Sequence, residues 1–144
     1  MPLFFITNIK STEADLSIIK DTKIEIPGWI PTKCKPYWDE VQKYDWDATT
    51  TIKIMYAESG CNSQAKNTSD HHKGCVGSWG LLQVSCGYKN LLDSKENIRI
   101  AYEEKYSKGG WSHWSTCKSI NGKPPLVKCK ESAAKTIQTI QDRV

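Results

Sequence analysis

Apolar residues recur at helical spacing in some stretches of the chain and alternate with polar ones in others. From Asp45 or Asp47, either of which can cap a helix, Ala48, Ile52, Met55 and Tyr56 share one face, and Gly60 stops the helix just after Glu58. Asp93-Ser94-Lys95-Glu96 reads as a capping box, after which Ile98, Ala101, Tyr102, Lys105 and Tyr106 continue one face as far as Gly109-Gly110. A last helix is predicted after Ser132, where Ala133, Ile137, Ile140 and Val144 form a stripe. Near the N-terminus, Leu16-Ser17-Ile18 and Ile24-Glu25-Ile26 alternate around the turn-like Lys20-Asp21-Thr22-Lys23, which predicts a small hairpin or arm over residues 1–27. Pro27-Gly28 and Pro31 then punctuate the chain and open a main domain over residues 28–144. Residues 61–79, dense in Asn, Ser, Gly and His, read as loop. Gly80-Leu81-Leu82-Gln83-Val84 is an apolar run with one polar residue, too short for its period to be read.

Length narrows this picture to one core and one site, because 144 residues make a single domain. No apolar run approaches the roughly 18 residues of a membrane span. Twenty Lys and Arg against sixteen Asp and Glu give a net charge of +4, which favours anionic surfaces but lacks the basic stripe of a nucleic-acid binder. Lys118, Lys123, Lys128 and Lys130 read as a solvated patch able to approach an anionic surface. The six cysteines, Cys34, Cys61, Cys75, Cys86, Cys117 and Cys129, are even in number and contain no Cys-x-x-Cys pair, so disulfides in an extracytoplasmic compartment are expected rather than zinc. Cys117 with Cys129 would close a short loop rich in Gly and Pro; the other pairings stay open. Leu3-Phe4-Phe5-Ile6 is too short for the apolar core of a secretory signal and has no basic n-region or small-residue cleavage site. Asn67-Thr68-Ser69 has the pattern of a glycosylation acceptor. No metal or cofactor is expected: His71 and His72 are adjacent and rarely could ligate one ion together, His113 is distant, and neither a phosphate-cradling glycine loop nor a Ser-His-Asp arrangement stands out.

Glu58 is the residue whose position asks for chemistry. A carboxylate at a helix C-terminus meets the negative end of the helix dipole, which disfavours ionisation. That is unhelpful for stability and useful for an acid, although an ion-paired or solvated helix-end Glu would look the same in sequence. The neighbourhood is more specific. Ala57-Glu58-Ser59-Gly60-Cys61-Asn62-Ser63-Gln64-Ala65, followed by Gly77-Ser78-Trp79-Gly80-Leu81-Leu82-Gln83-Val84, resembles the glutamate and G-x-x-G-L-x-Q motifs of the lysozyme-like lytic transglycosylases, a group that includes goose-type lysozymes. Asp93 to Ile98 with Ala101-Tyr102 is similar to the family's helix bearing Asn and Tyr, and Gly110-Trp111 with Trp114 resembles the closing G-x-x-W part of many phage and bacterial members. The resemblance spans roughly residues 45–118.

The resemblance implies an α+β, mainly α-helical, lysozyme-like fold with a small β element, stapled by disulfides and probing peptidoglycan glycan strands as a monomer. It implies cleavage of the β-1,4 bond between N-acetylmuramic acid and N-acetylglucosamine with Glu58 as catalytic acid. Substrate-binding roles would fall to Gln83, Tyr102, Asp70, Trp79 and Ser78. Each has a plainer reading: Gln83 as a structural amide, Tyr102 as core, Trp79, Trp111 and Trp114 as buried tryptophans, Asp70 as a surface aspartate beside His71 and His72. Asp70 matters because a hydrolase needs a second carboxylate. Its offset of twelve from Glu58 is similar to that in invertebrate-type lysozymes, whose Glu-Ser-Gly-Cys segment is also shared. Without it, lytic transglycosylation needs Glu58 alone. The chain departs from the family in a cysteine-bearing insertion between Asn67 and Gly77, in Asn67 where many members have serine, and in lacking an Ala-Tyr-Asn-x-Gly motif. Two further readings are a lysozyme-like domain that binds glycan without cleaving it and an adhesion module, since Trp111-Ser112-His113-Trp114-Ser115-Thr116-Cys117 resembles the W-S-x-W-S-x-C signature of thrombospondin type 1 repeats. The Cys-x-x-Cys-Gly segment and alternating arginines of those repeats are missing.

Overall fold

The structure is a computed structural model that describes residues 25–131 apart from residues 73 and 86, with the backbone alone for residues 70–72. The expected arm, except for residues 25–27, the expected helix after Ser132 and the side chains of Asp70, His71 and His72 lie outside the described residues. The rest is an α+β arrangement of helices and a small antiparallel sheet.

A 3-10 turn at Thr32–Tyr37 runs into one α-helical turn, α1 (Trp38–Val41). Helix α2 (Ala48–Ser59) starts where the Asp47 carboxylate accepts from the Thr50 amide at 2.9 Å. It ends at Gly60, whose φ of 64° is the left-handed conformation that glycine adopts without penalty. Both ends follow the sequence expectation, and the buried face follows it in part. Thr51, Ile52, Ile54 and Met55 are fully buried, whereas Tyr56 is 54% exposed. The stripe centred on Thr51 and Met55 faces the core, which turns Tyr56 outward beside Trp29 and Leu126.

Residues 61–79, expected as loop, instead form most of a three-stranded sheet: β1 (Lys66–His72), β2 (Cys75–Trp79) and β3 (Val84–Ser85), in the order β1-β2-β3. Both pairings are antiparallel, and β1 carries a register irregularity between Asn67 and His71. Backbone pairing, rather than a buried apolar face, makes these strands, and for that reason no hydrophobic alternation marks them.

Helix α3 (Ser94–Ile100) is capped by Asp93, whose carboxylate accepts from the Glu96 amide at 2.9 Å. The reciprocal half of the expected capping box is absent, since the Glu96 carboxylate is taken by Arg99, at 2.5 Å from Nη2. A charge-assisted bond outcompetes a neutral amide donor. The helix continues as a π-helical segment, Ala101–Tyr106, and a last α-turn, α4 (Ser107–Gly109), before 3-10 turns at Gly110–His113 and Ser115–Cys117.

The core joins Ile52, Ile54 and Met55 of α2 to Leu81, Leu82, Ile98 and a group of aromatic rings. Trp46 stacks on Trp111 at 5.6 Å and meets Tyr102 edge-on at 5.3 Å, and Tyr106 lies 4.6 Å from Trp111. Disulfides Cys34–Cys61 and Cys117–Cys129 tie the 3-10 entry to the end of α2 and close the C-terminal loop; the second is the pairing expected from sequence. Cys75 is disulfide-bonded as well. Among the described residues no helix is long and apolar enough to cross a membrane.

Candidate functional site

Helix α2 delivers Glu58 to one wall of a cleft of about 540 Å³. The sheet forms a second wall. Asn67, Ser78 and Ser85 are directly opposite one another in the β1–β2 and β2–β3 registers, so their side chains share one face, and all three line the cleft. The turns after the π segment close it with His113, Trp114, Ser115 and Lys118.

Several contacts hold Glu58 in place. Thr116 Oγ1 donates to Glu58 Oε1 at 3.2 Å, across 58 residues of sequence. Next to it, Ser59 Oγ donates to the Leu81 carbonyl at 2.7 Å and joins the end of α2 to the turn between β2 and β3. That turn is pinned from the other side by Asn97, which is fully buried. Asn97 Oδ1 accepts from the Leu82 amide at 2.9 Å, while Nδ2 donates to the carbonyls of Trp79 at 2.8 Å and Leu91 at 2.9 Å. Gly80 fits beneath it only as glycine: φ is +81°, and a Cβ would lie 2.2 Å from Asn97 Nδ2 and 2.3 Å from the Leu91 carbonyl oxygen.

Gln83 ends this turn with a φ of 48°, the left-handed region that costs a side-chain-bearing residue about 1–2 kcal/mol. Strain of this kind persists where surrounding contacts over-determine the backbone. Here the amide itself supplies them, as Nε2 donates to the carbonyls of Gly80 at 2.9 Å and Ala65 at 3.3 Å. Gln83 therefore has both the expected structural role and a place in the cleft lining.

The other expected site residues divide. Ser78 is 5% exposed and lies in the cleft. Trp79, the next residue, points to the opposite face because strand side chains alternate. It borders a separate depression with Tyr88, Leu91 and Asp93, and Lys66 Nζ sits 5.3 Å from its ring centroid. Tyr102 is in the aromatic group, 5.0 Å from Tyr44, and is not part of the cleft lining. Asp70 belongs to β1 by its backbone; its side chain lies outside the described residues. Trp111 and Trp114 are 3% and 5% exposed. Their indoles donate to the carbonyls of Lys130 at 2.9 Å and Leu82 at 2.8 Å. They stand in and beside 3-10 turns rather than in the strands of a repeat module.

Sequence reasoning missed Ser85, Lys105, His113, Ser115, Thr116 and Lys118 as neighbours of Glu58. The pairing of Cys117 with Cys129 was the available signal, since it fixes the loop that carries Thr116. Asn67, noted in the sequence as a glycosylation acceptor and as a departure from the family's serine, lines the cleft, and its Oδ1 accepts from the amide and hydroxyl of Ser69 at 3.1 and 2.6 Å. Among the described residues no group of three or more His, Cys, Asp or Glu is arranged to hold a metal ion.

The arrangement joins one carboxylate, anchored by a hydroxyl, to a polar trough of hydroxyls and amides. Such a trough can hydrogen-bond a polyhydroxylated chain while the acid reaches a bridging oxygen. The chain matches no protein-family model, no curated protein and no solved structure.

Proposed function

We propose that the protein is a lysozyme-like muramidase that cleaves the β-1,4 bond between N-acetylmuramic acid and N-acetylglucosamine in peptidoglycan, outside the cytoplasm, with Glu58 as general acid and then base. The observation that carries this reading is Glu58 at the C-terminal end of α2, on the wall of a cleft faced by the Asn67–Ser78–Ser85 row and by Gln83. A glycosidic oxygen leaves poorly until protonated. In this reading Glu58 gives its proton to the bridging oxygen as the bond from C1 breaks, releasing the 4-hydroxyl of N-acetylglucosamine. The Glu58 carboxylate next takes a proton from the attacking hydroxyl. If the attacker is the 6-hydroxyl of the muramic acid, the product is a 1,6-anhydro sugar; if it is water, the product has a reducing end. Either way the acid is regenerated. Among the described residues that line the cleft, Glu58 is the one carboxylate, which suits the first route because it requires no second acid.

The test is a digest of purified peptidoglycan with products weighed by mass spectrometry. Products lighter by one water than ordinary muropeptides establish transglycosylation. Reducing-end products establish hydrolysis and make Asp70 the first residue to substitute. Release of nothing by a protein that still binds the wall overturns the enzymatic reading in favour of glycan binding.

A further inference from the structure

We infer that Lys105 and Lys118 make the Glu58 cleft a receptor for carboxylate, so that it selects glycan strands whose sugars bear a carboxylate over neutral polymers of N-acetylglucosamine. This rests on the reading that the cleft holds a glycan. Two ammonium groups and one carboxylate are among its described lining residues, an excess of positive charge at the one place where ligand would sit.

Lys105 is held there by specific contacts. Its Nζ donates to Ser85 Oγ at 3.3 Å and lies 5.3 Å from the Tyr88 ring centroid, so the ammonium is fixed at the sheet end of the cleft. Its flanking acids are engaged elsewhere: Glu103 pairs with Arg99, and Glu104 pairs with Lys108 at 2.6 Å. Among the described residues, Lys105 has no ion pair, although two glutamates precede it directly. A half-buried cation with no carboxylate within ion-pair distance, although Glu104 is near enough to feel its charge, gains from an incoming anion.

The π-helical segment Ala101–Tyr106 gives an independent reason to assign Lys105 this task. A π turn holds about 4.4 residues against 3.6 in an α-helix, so Lys105 is carried roughly 115° around the axis from Tyr102 instead of roughly 60°. Tyr102 and Tyr106 then both remain in the aromatic group, 5.8 Å apart, while Lys105 reaches the cleft. Such π turns are rare and concentrate at functional sites. Lys118, exposed at the rim, supplies the second charge. In peptidoglycan the carboxylate can be the lactyl group of a peptide-free muramic acid or a carboxylate of an attached peptide.

The experiment measures binding by the Glu58→Gln protein, which leaves the polymer uncut, to peptide-bearing strands, peptide-stripped strands and a neutral N-acetylglucosamine hexamer. Lys105→Met, which keeps the apolar stem, is added on that background and is checked for an unchanged melting temperature. The expected result is about a tenfold loss of affinity for carboxylate-bearing strands, the size of one charge-assisted contact, with the hexamer unaffected and Lys105→Arg restoring most of the loss. A loss confined to stripped strands identifies the lactyl carboxylate, and a loss confined to peptide-bearing strands identifies the peptide. Equal affinity for hexamer and strands, or no response to Lys105→Met, overturns the inference and leaves the cleavage reading untouched. Lysine-dependent binding by a wild type that cuts nothing would instead sustain the inference and remove the cleavage reading.

Discussion

Removing the Asn97 side chain tests how the cleft is built. Asn97→Ala deletes three hydrogen bonds of 2.8–2.9 Å and leaves the Leu82 amide and the carbonyls of Trp79 and Leu91 facing a small void at a fully buried position. An orphaned buried donor or acceptor costs about 1–3 kcal/mol, and carbonyls, with two lone pairs, tolerate the loss better than an amide. We expect a total of about 3–4 kcal/mol, a large part of the roughly 5–15 kcal/mol that keeps a domain folded. For a chain of this size, that lowers Tm by about 10–15 °C. Urea unfolding followed by tryptophan fluorescence gives the free energy, provided the slope with denaturant is unchanged. Asn97→Asp should recover little, because a carboxylate accepts from Leu82 but cannot donate to either carbonyl. Activity should fall further than stability, since Asn97 fixes the turn that carries Gln83. A loss below about 1 kcal/mol for Asn97→Ala would refute the argument that this amide pins the turn.

Other substitutions probe other parts of the same account. Thr116→Val removes the hydroxyl that anchors Glu58 but keeps the shape, so activity should drop roughly tenfold with Tm within a few degrees; unchanged activity would mean that the contact does not orient the acid. Replacing Cys34 and Cys61 by alanine opens a link across 27 residues and should cost about 3–4 kcal/mol of stability, read as a Tm decrease relative to the wild type that shrinks when both proteins are melted in reductant. Glu96 and Glu104 are held below the ordinary carboxylate pKa of 4.5, first by hydrogen bonds from Arg99 and Lys108 respectively. Their folded-state pKa values are depressed, so their small, exposed contribution is present above pH 4.5 and is lost as pH falls through the depressed values. Thermal melts at neutral and acidic pH should therefore show a shallower decline for Glu96→Gln/Glu104→Gln than for the wild type; identical declines would count against the pairing.

Local signals were legible in the sequence, and long-range ones were not. Asp47, Gly60 and Asp93 act at helix ends through bonds spanning a few residues, so their caps could be read directly. The cysteine pair 117–129 closes too short a loop to hide. By contrast, β1 is built from polar residues and β2 mixes Val76 and Trp79 with Gly and Ser without a buried apolar face, so composition made both look like loop. The outward turn of Tyr56 depends on what packs against α2, and the π segment depends on the aromatic rings that Tyr102 and Tyr106 join; neither is written in a helical period. Ser78 and Trp79 show the limit within the site itself. Both belong to the motif segment, yet strand alternation sends one into the cleft and the other away. Thr116 and Lys105 reach the cleft from far along the chain, and no spacing rule connects them to Glu58.

The most direct measurement is the rate of muropeptide release from purified peptidoglycan by the wild type and by Glu58→Gln, with circular dichroism and Tm showing that both are equally folded. Glutamine keeps the size and the contact with Thr116 but has no proton to give. The account predicts release by the wild type and a loss of at least about a hundredfold in the variant. Equal rates for the two proteins, or a wild type that binds the wall and releases nothing, would contradict it.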